Sequence, residues 1–399
     1  MTEPLGIYIH IPFCVRKCRY CDFLSFSAPD SLKEAYAEAL CREIRAAAEL
    51  YQRPVDTVFI GGGTPSVLPY SVFRSMIDAL REAFRILPDA EVTVEMNPGA
   101  GWSAEELNDL LGGTDRSGYG APAVSRISLG LQSVHDDELK RLGRIHDFRT
   151  FLNTYEKLRA AGASDINFDL MFGIPGQTGE RWRETLRTAV SLAPEHLSAY
   201  SLILEEGTPF FEEWKKGTLL LPDEESERNM AYEAAEYLGN AGYRRYEISN
   251  YSRPGHASRH NIRYWQRKEY YGAGIGAASF LGHTRWKNTS EMKKYLAVWG
   301  GETERTGPEC MDACREDTEH LTKKQEMEEF MFLGLRMTEG ISAAAFEEEF
   351  GVPLREEYGP VLEKYLGEKM LGEKDGRIYL TDRGTDVSNV IMSGFLHDD

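Results

Sequence analysis

The sequence predicts an α/β protein: an open, partial (β/α)6 barrel of the TIM type, joined to a mainly helical, winged-helix-like C-terminal domain. Three observations carry that expectation. Six short β-branched or apolar runs alternate with segments of helical periodicity, the pattern of a parallel sheet. Every polar or glycine-rich motif lies just after one of those runs, and in βα barrels the C-terminal strand ends share one face. From Thr322 onward the composition turns helical and rich in Glu, and a hairpin with Asp375-Gly376 at its turn precedes a last helix. A doubly wound sheet would gather its site at a switch point, whereas here all six strand ends carry polar candidates.

In chain order, the first strand is expected at Ile7–Ile11 and runs through Pro12 and Phe13 into a loop with Cys14, Cys18 and Cys21, spaced C-x3-C-x2-C. Asp30-Ser31 offers a cap for the long helix that follows, in which Cys41 reads as a structural thiol. Val55–Ile60 ends in Gly61-Gly62-Gly63-Thr64-Pro65, and a helix is expected near Tyr70–Phe84. Glu91–Met96 stops at Asn97-Pro98-Gly99, and Ala123–Leu129 stops at Gly130-Leu131-Gln132-Ser133. Asp165–Met171 is broken by Gly173-Ile174-Pro175-Gly176, and His196–Leu204 ends in Glu205-Glu206-Gly207-Thr208-Pro209. The expected units are the barrel at 1–210, a barrel extension at 211–299, a charged linker at 300–321 holding Cys310 and Cys314, and the C-terminal domain at 322–399.

Bulk properties exclude several classes. A chain of 399 residues with 42% hydrophobic and 28% charged residues is ordinary for a soluble protein with one or two domains. It has no run of about 18 apolar residues, so no membrane span is expected. No basic segment followed by an apolar one marks a secretory signal. Six cysteines, three of them clustered, do not form a disulfide framework and suit the reducing cytoplasm. A net charge of −18 disfavours nucleic acid, and the C-terminal unit lacks the basic stripe of a DNA-binding winged helix.

Thiolates hold iron–sulfur clusters and zinc, and both sites usually take four protein ligands. Three clustered cysteines leave one metal position open for something to bind. Zinc with a distant fourth ligand is the plainer alternative; iron–sulfur is favoured because the same face offers groups suited to an adenosine and an amino acid. The GGGTP turn exposes backbone groups with no Cβ to block approach. Glu95, Gln132 and Asp169 lie near the ends of apolar strands, where buried polar groups need partners, and Arg144 can pair a carboxylate bidentately.

Together, YIHIPFCVRKCRYCDF, FIGGGTPS, VEMNPG, SLGLQS with LGRIH, INFDLMFGIPGQT, YSLILEEGTPF and GLRMTEGIS resemble the radical S-adenosylmethionine (SAM) superfamily, within it the oxygen-independent coproporphyrinogen oxidase family, across nearly the whole chain. The resemblance implies a [4Fe–4S] cluster on Cys14, Cys18 and Cys21, whose open iron takes the amino and carboxylate groups of SAM. An electron donor would then drive cleavage of SAM. It further implies Tyr8 and Tyr20 beside SAM, with Gly62, Gly63 and Thr64 on its methionine moiety. Arg144 would bind its carboxylate, and Glu95, Gln132 and Asp169 would serve the ribose and amino group.

Within that family two features separate this chain from the oxidases it resembles. Phe23 stands where they carry a further cysteine, and they have a sizeable extension before the first strand. Oxidative decarboxylation of coproporphyrinogen III is therefore the alternative expectation. The chain instead resembles the heme chaperone subgroup, HemW, through His260-Asn261-Ile262-Arg263-Tyr264-Trp265, which matches H-N-x-x-Y-W. That resemblance implies heme binding, with His260 as axial ligand and His256 as a nearby alternative, and transfer of heme to an acceptor protein. Where members often have G-A-H-S-F, this chain has Gly276-Ala277-Ala278-Ser279-Phe280.

Overall fold

Six parallel strands lie side by side in chain order: β1 (Leu5–Ile11), β2 (Pro54–Gly62), β3 (Arg85–Met96), β4 (Arg126–Gln132), β5 (Ile166–Phe172) and β6 (His196–Ser201). This computed structural model describes residues 3–99, 101–112, 123–301 and 305–397. The strands read as near-continuous apolar runs because helices cover one face and the barrel interior closes the other. All seven residues of β4 are buried, as are all of β1 except the half-buried Tyr8. Strand limits differ from expectation mainly at the ends. β3 begins at Arg85, pairing Arg85 and Ile86 with Pro54 and Val55, and a register shift then absorbs the segment around Pro88. β6 stops at Ser201, before Leu204.

The segment after β6 supplies both edges of the sheet. β7 (Arg244–Arg245) and β8 (Asn250–Ser252) form an antiparallel pair against β6. β9 (Tyr270–Ala273) lies parallel to β1 on the far side. β10 (Ala278–Leu281), β11 (Thr284–Asn288) and β12 (Arg315–His320) continue antiparallel from there. Among the described residues β12 and β7 are opposite edges of one 12-stranded sheet, so the barrel is open.

The stretch 300–321, expected as a linker, is part of this unit. Its residues 302–304 lie outside the described ones. Gly307–Cys314 is a helix whose Glu309 accepts a hydrogen bond from the Thr306 N–H at 2.8 Å, and β12 follows directly. Cys310, Met311 and Cys314 fall on one helical face and are buried in the main core. The charged surroundings hide that short apolar stripe in the sequence.

The C-terminal domain packs helices Lys323–Gly334, Ala343–Phe350 and Leu354–Gly367 on a small antiparallel sheet of β13 (Ile341–Ser342), β14 (Leu371–Lys374) and β15 (Arg377–Leu380). Asp375 and Gly376 both have positive φ (52° and 72°), as a tight two-residue hairpin requires. The domain has its own core around Met331, Phe346, Leu362 and Ile378. It meets the barrel extension through a Glu247–Met337 bridge and a Thr338 N–H to Tyr246 carbonyl bond of 3.0 Å. Among the described residues no helix is long and apolar enough to cross a membrane.

Candidate functional site

The cysteine loop is fastened at both ends before any ligand is considered. Phe13 and Phe26 bridge its base, where the Cys14 N–H donates to the Phe26 carbonyl at 3.0 Å. The Arg19 N–H donates to the Leu142 carbonyl and the Arg19 carbonyl accepts from Phe210 N–H, at 3.0 and 3.1 Å. Arg16 donates to the Gly143 carbonyl at 2.9 Å. The loop thus lies across the C-terminal ends of the strands.

Cys14, Cys18 and Cys21 are half-buried and line one cavity of about 350 Å³, together with Tyr20, Gly62, Gly63, Glu95, Gln132, Arg144 and Asp169. Burial, with Cys18 nearby, pushes the Cys21 thiol up to about 11. Among the described residues no three His, Cys, Asp or Glu side chains converge to hold a single metal ion. The thiols border a space, an arrangement suited to a cluster in which each cysteine takes a different iron.

Around that space the barrel presents polar groups with incomplete partners. The Glu95 carboxylate accepts from the Gly62 N–H at 2.9 Å, and burial raises its pKa to about 7, with Asp169 adding. Burial also raises Asp169, although Ser128 and Asn167 donate to it at 3.2 and 2.8 Å. Arg144 donates to Asn97 and to the Gly130 carbonyl, and approaches the Cys18 sulfur at 3.6 Å. Its Nε, and Oε1 of the buried Gln132, have no hydrogen-bond partner. Gln132 also adopts φ of 59°, strained for a residue with a Cβ.

Two expected members, Thr64 and Tyr8, sit outside the cavity wall. Thr64 is buried and not in the cavity wall: its hydroxyl accepts from Asn97 at 2.6 Å and lies 3.5 Å from the Cys14 sulfur. Gly62 and Gly63 do line the cavity, yet the strand ends themselves require them. A Cβ on Gly62, whose φ is 102°, would collide with the His10 ring, and one on Gly63 would lie 2.6 Å from the Phe13 carbonyl. Tyr8 lies outside this cavity; its hydroxyl bonds His10 Nδ1 at 2.9 Å.

Tyr8 instead lines a second cavity of about 520 Å³, with Leu24, Tyr264, Trp265, Tyr270 and Phe280 among its walls. The two cavities share Phe23, Gly62 and Glu95, so they adjoin. Phe23 is 61% exposed there, a large apolar ring left uncovered. The helix Arg259–Trp265 supplies Tyr264 and Trp265.

His260, on the same helix, is fully buried with both ring nitrogens engaged: Nδ1 with the Thr57 hydroxyl at 3.0 Å and Nε2 with the Tyr264 hydroxyl at 2.7 Å. Its ring stacks on Phe59, and burial lowers its pKa to about 3. As placed, it offers no nitrogen to an iron, and the axial-ligand expectation does not match this geometry. His256 is turned away, toward Asp165 at the opposite, N-terminal end of β5, at 3.0 Å.

The radical SAM superfamily model matches residues 8–189, and the HemN C-terminal domain model matches residues 321–387. The heme chaperone HemW of Lactococcus lactis is 35% identical over 399 residues, covering 100% of this chain and 99% of that protein. The heme chaperone HemW of Bacillus subtilis is 35% identical over 391 residues, covering 98% of each. This chain belongs to the heme chaperone HemW family. The solved structure of coproporphyrinogen III oxidase HemN from Escherichia coli, a radical SAM enzyme, matches with a TM-score of 0.81 at 21% identity, covering 98% of this chain and 90% of that one. That likeness shows a fold shared with HemN, an open α/β barrel.

Asn97, Ser128, Met171 and Tyr200 also line the cysteine cavity and were not singled out from the sequence. The signal was present in strand periodicity. Ser128, Gly130 and Gln132 alternate along β4, as do Asp169 and Met171 along β5, so each set faces the barrel interior.

Proposed function

We propose that this chain binds heme in the apolar cavity beside the cysteine loop and passes it to an acceptor protein, while a [4Fe–4S] cluster and SAM occupy the neighbouring cavity. The observation that carries this reading is the junction of the two cavities at Phe23. An aromatic ring, suited to a porphyrin face, stands where the cluster loop meets the apolar space. The relatives that span the whole chain are named heme chaperones, which supports the same reading.

The residues fit the cluster and SAM. Three thiols surround one space, and unpartnered polar atoms of Gln132 and Arg144 face the chemistry of an amino acid and a ribose. Cys14, Cys18 and Cys21 would hold the cluster, which would supply one-electron reduction of SAM given an external electron donor. Arg144, held by Asn97 and the Gly130 carbonyl, would pair the SAM carboxylate. Glu95, Gln132 and Asp169 would accept from its hydroxyl and amino groups, and Tyr20 would flank it. Gly62 and Gly63 allow its close approach, and Thr64 orients Cys14. Tyr8 belongs with the heme cavity. An axial role for His260 requires its ring to leave both Thr57 and Tyr264; we assign it the anchoring of the helix that forms the cavity wall.

On this reading 1–210 holds the cluster and SAM, 211–299 the floor of the heme cavity, and 322–399 its outer side. The six cysteines, all free, suit the cytoplasm. Titrating the anaerobically reconstituted protein with heme is the test. A stoichiometric Soret change is expected, and its absence would overturn heme binding. Vinyl products from coproporphyrinogen with SAM and a reductant would restore the oxidase alternative.

A further inference from the structure

The apolar cavity contains polar groups that a plain hydrophobic slot does not explain. Arg267 and Arg285 line it beside Trp265. Nε of each arginine and Nε1 of Trp265 are buried and lack a hydrogen-bond acceptor. Three unpaired donors in one wall are unfavourable unless an acceptor arrives. The Arg267 side chain is only 6% exposed, so water does not readily serve it.

The carboxylates that face these arginines come from the C-terminal domain. Glu326 lies 3.4 Å from Arg267, and Glu329 lies 3.6 Å from Arg267 Nε and 2.8 Å from Arg285. Glu349 pairs with Arg267 at 2.6 Å from the exposed side, and His283 takes Glu326 at 2.5 Å. At 3.4 to 3.6 Å the contacts of Glu326 and Glu329 with Arg267 are ion pairs without hydrogen bonds, whereas Arg285 Nη2 donates to Glu329 at 2.9 Å; both Nε atoms are left for a bidentate carboxylate.

We propose that Arg267 and Arg285, with the Trp265 N–H, recognise the two carboxylate groups of a porphyrin lying in this cavity, and that Glu329 occupies the site in its absence. This rests on the heme-binding function proposed above and deepens it by naming the polar end of the ligand. The ring system would lie against the aromatic wall of Tyr8, Tyr264 and Phe280, and the acids would reach the arginines in the adjoining wall. Ligand and Glu329 then compete for the same donors. Loading weakens the grip of the C-terminal domain on the barrel, and by linkage a weaker grip favours loading.

The experiment titrates the anaerobically reconstituted full chain with hemin, iron-free protoporphyrin IX and hemin dimethyl ester, which lacks free carboxylates. Wild type is expected to bind both acids roughly ten- to a hundredfold more tightly than the ester. Arg267→Gln and Arg285→Gln each reduce that ratio, and Glu329→Gln raises it. The ratio is the readout because a folding defect weakens acid and ester together, and the half-exposed Arg285 keeps the test open if Arg267→Gln does not fold. Equal binding of acid and ester by wild type, or an unchanged ratio in Arg285→Gln, overturns the carboxylate site and leaves heme binding standing. No binding of any of the three overturns both.

Discussion

Glu95 stands where the two cavities meet, and its protonation is set by that position. Burial, with Asp169 beyond it, raises its pKa from 4.5 to about 7. A carboxyl raised in the folded state holds its proton more tightly there than in the unfolded chain. Its stabilising contribution is therefore complete below about pH 4.5 and is lost as the pH climbs through about 7. Glu95→Gln should leave the unfolding free energy of ligand-free protein unchanged at the acid end and raise it at pH 8 by on the order of 2 kcal/mol, read from urea unfolding at the two pH values. An equal gain at both pH values would trace the effect to packing and remove the titration from the account. Residues of this kind were legible in the sequence, because a lone acid near the end of an apolar strand needs a reason to be there. Asn97 and Ser128 were less so: small amides and hydroxyls at strand ends are common, and only the pairing of Asn97 with Arg144 and Thr64 shows its place.

The helix Arg259–Trp265 shows how an element can carry a motif for a reason the motif does not state. Its N-terminus is held by a buried carboxylate: Glu91 accepts from the Arg259 and His260 N–H groups at 2.8 and 3.0 Å. Ser258 caps it at Asn261, and His260 ties it to Thr57 on β2. Sequence alone presents an imidazole beside aromatics, which fits heme iron. Whether either ring nitrogen is free depends on Thr57, some two hundred positions earlier, and no local pattern records that pairing. His260→Gln should consequently cost about 2 kcal/mol of stability through the lost hydrogen bonds and ring packing. Heme bound by the variant should keep the wild-type Soret position and electron paramagnetic resonance signature. A changed axial-ligand signature would instead return His260 to the iron.

At the scale of the molecule, the six central strands were readable because each is covered on both faces. The edges were not, since β7 to β12 are short, polar or glycine-rich and pair only through contacts distant in sequence. Those edges matter, because the extension they belong to is what the C-terminal domain grips. Arg336 is central to that grip: its guanidinium lies 4.3 Å over the Trp265 ring and 3.6 Å from Glu247. Glu247 is 1% exposed, and its other oxygen accepts from the Ser249 N–H at 2.7 Å. Removing the cation while leaving the buried acid is costly, whereas removing both charges is not. Arg336→Met should lower stability by about 2 kcal/mol in urea unfolding, less than for a fully buried pair because Arg336 is partly exposed. Adding Glu247→Gln should recover most of that loss, since an amide keeps the bond to Ser249 without a charge to neutralise. Amide exchange in the Arg259–Trp265 helix should quicken in the single variant and slow again in the double. If the two substitutions simply add, Glu247 and Arg336 are not coupled, and the domain is held by its other contacts with the extension, among them the Glu247–Met337 bridge and the Arg267 and Arg285 ion pairs.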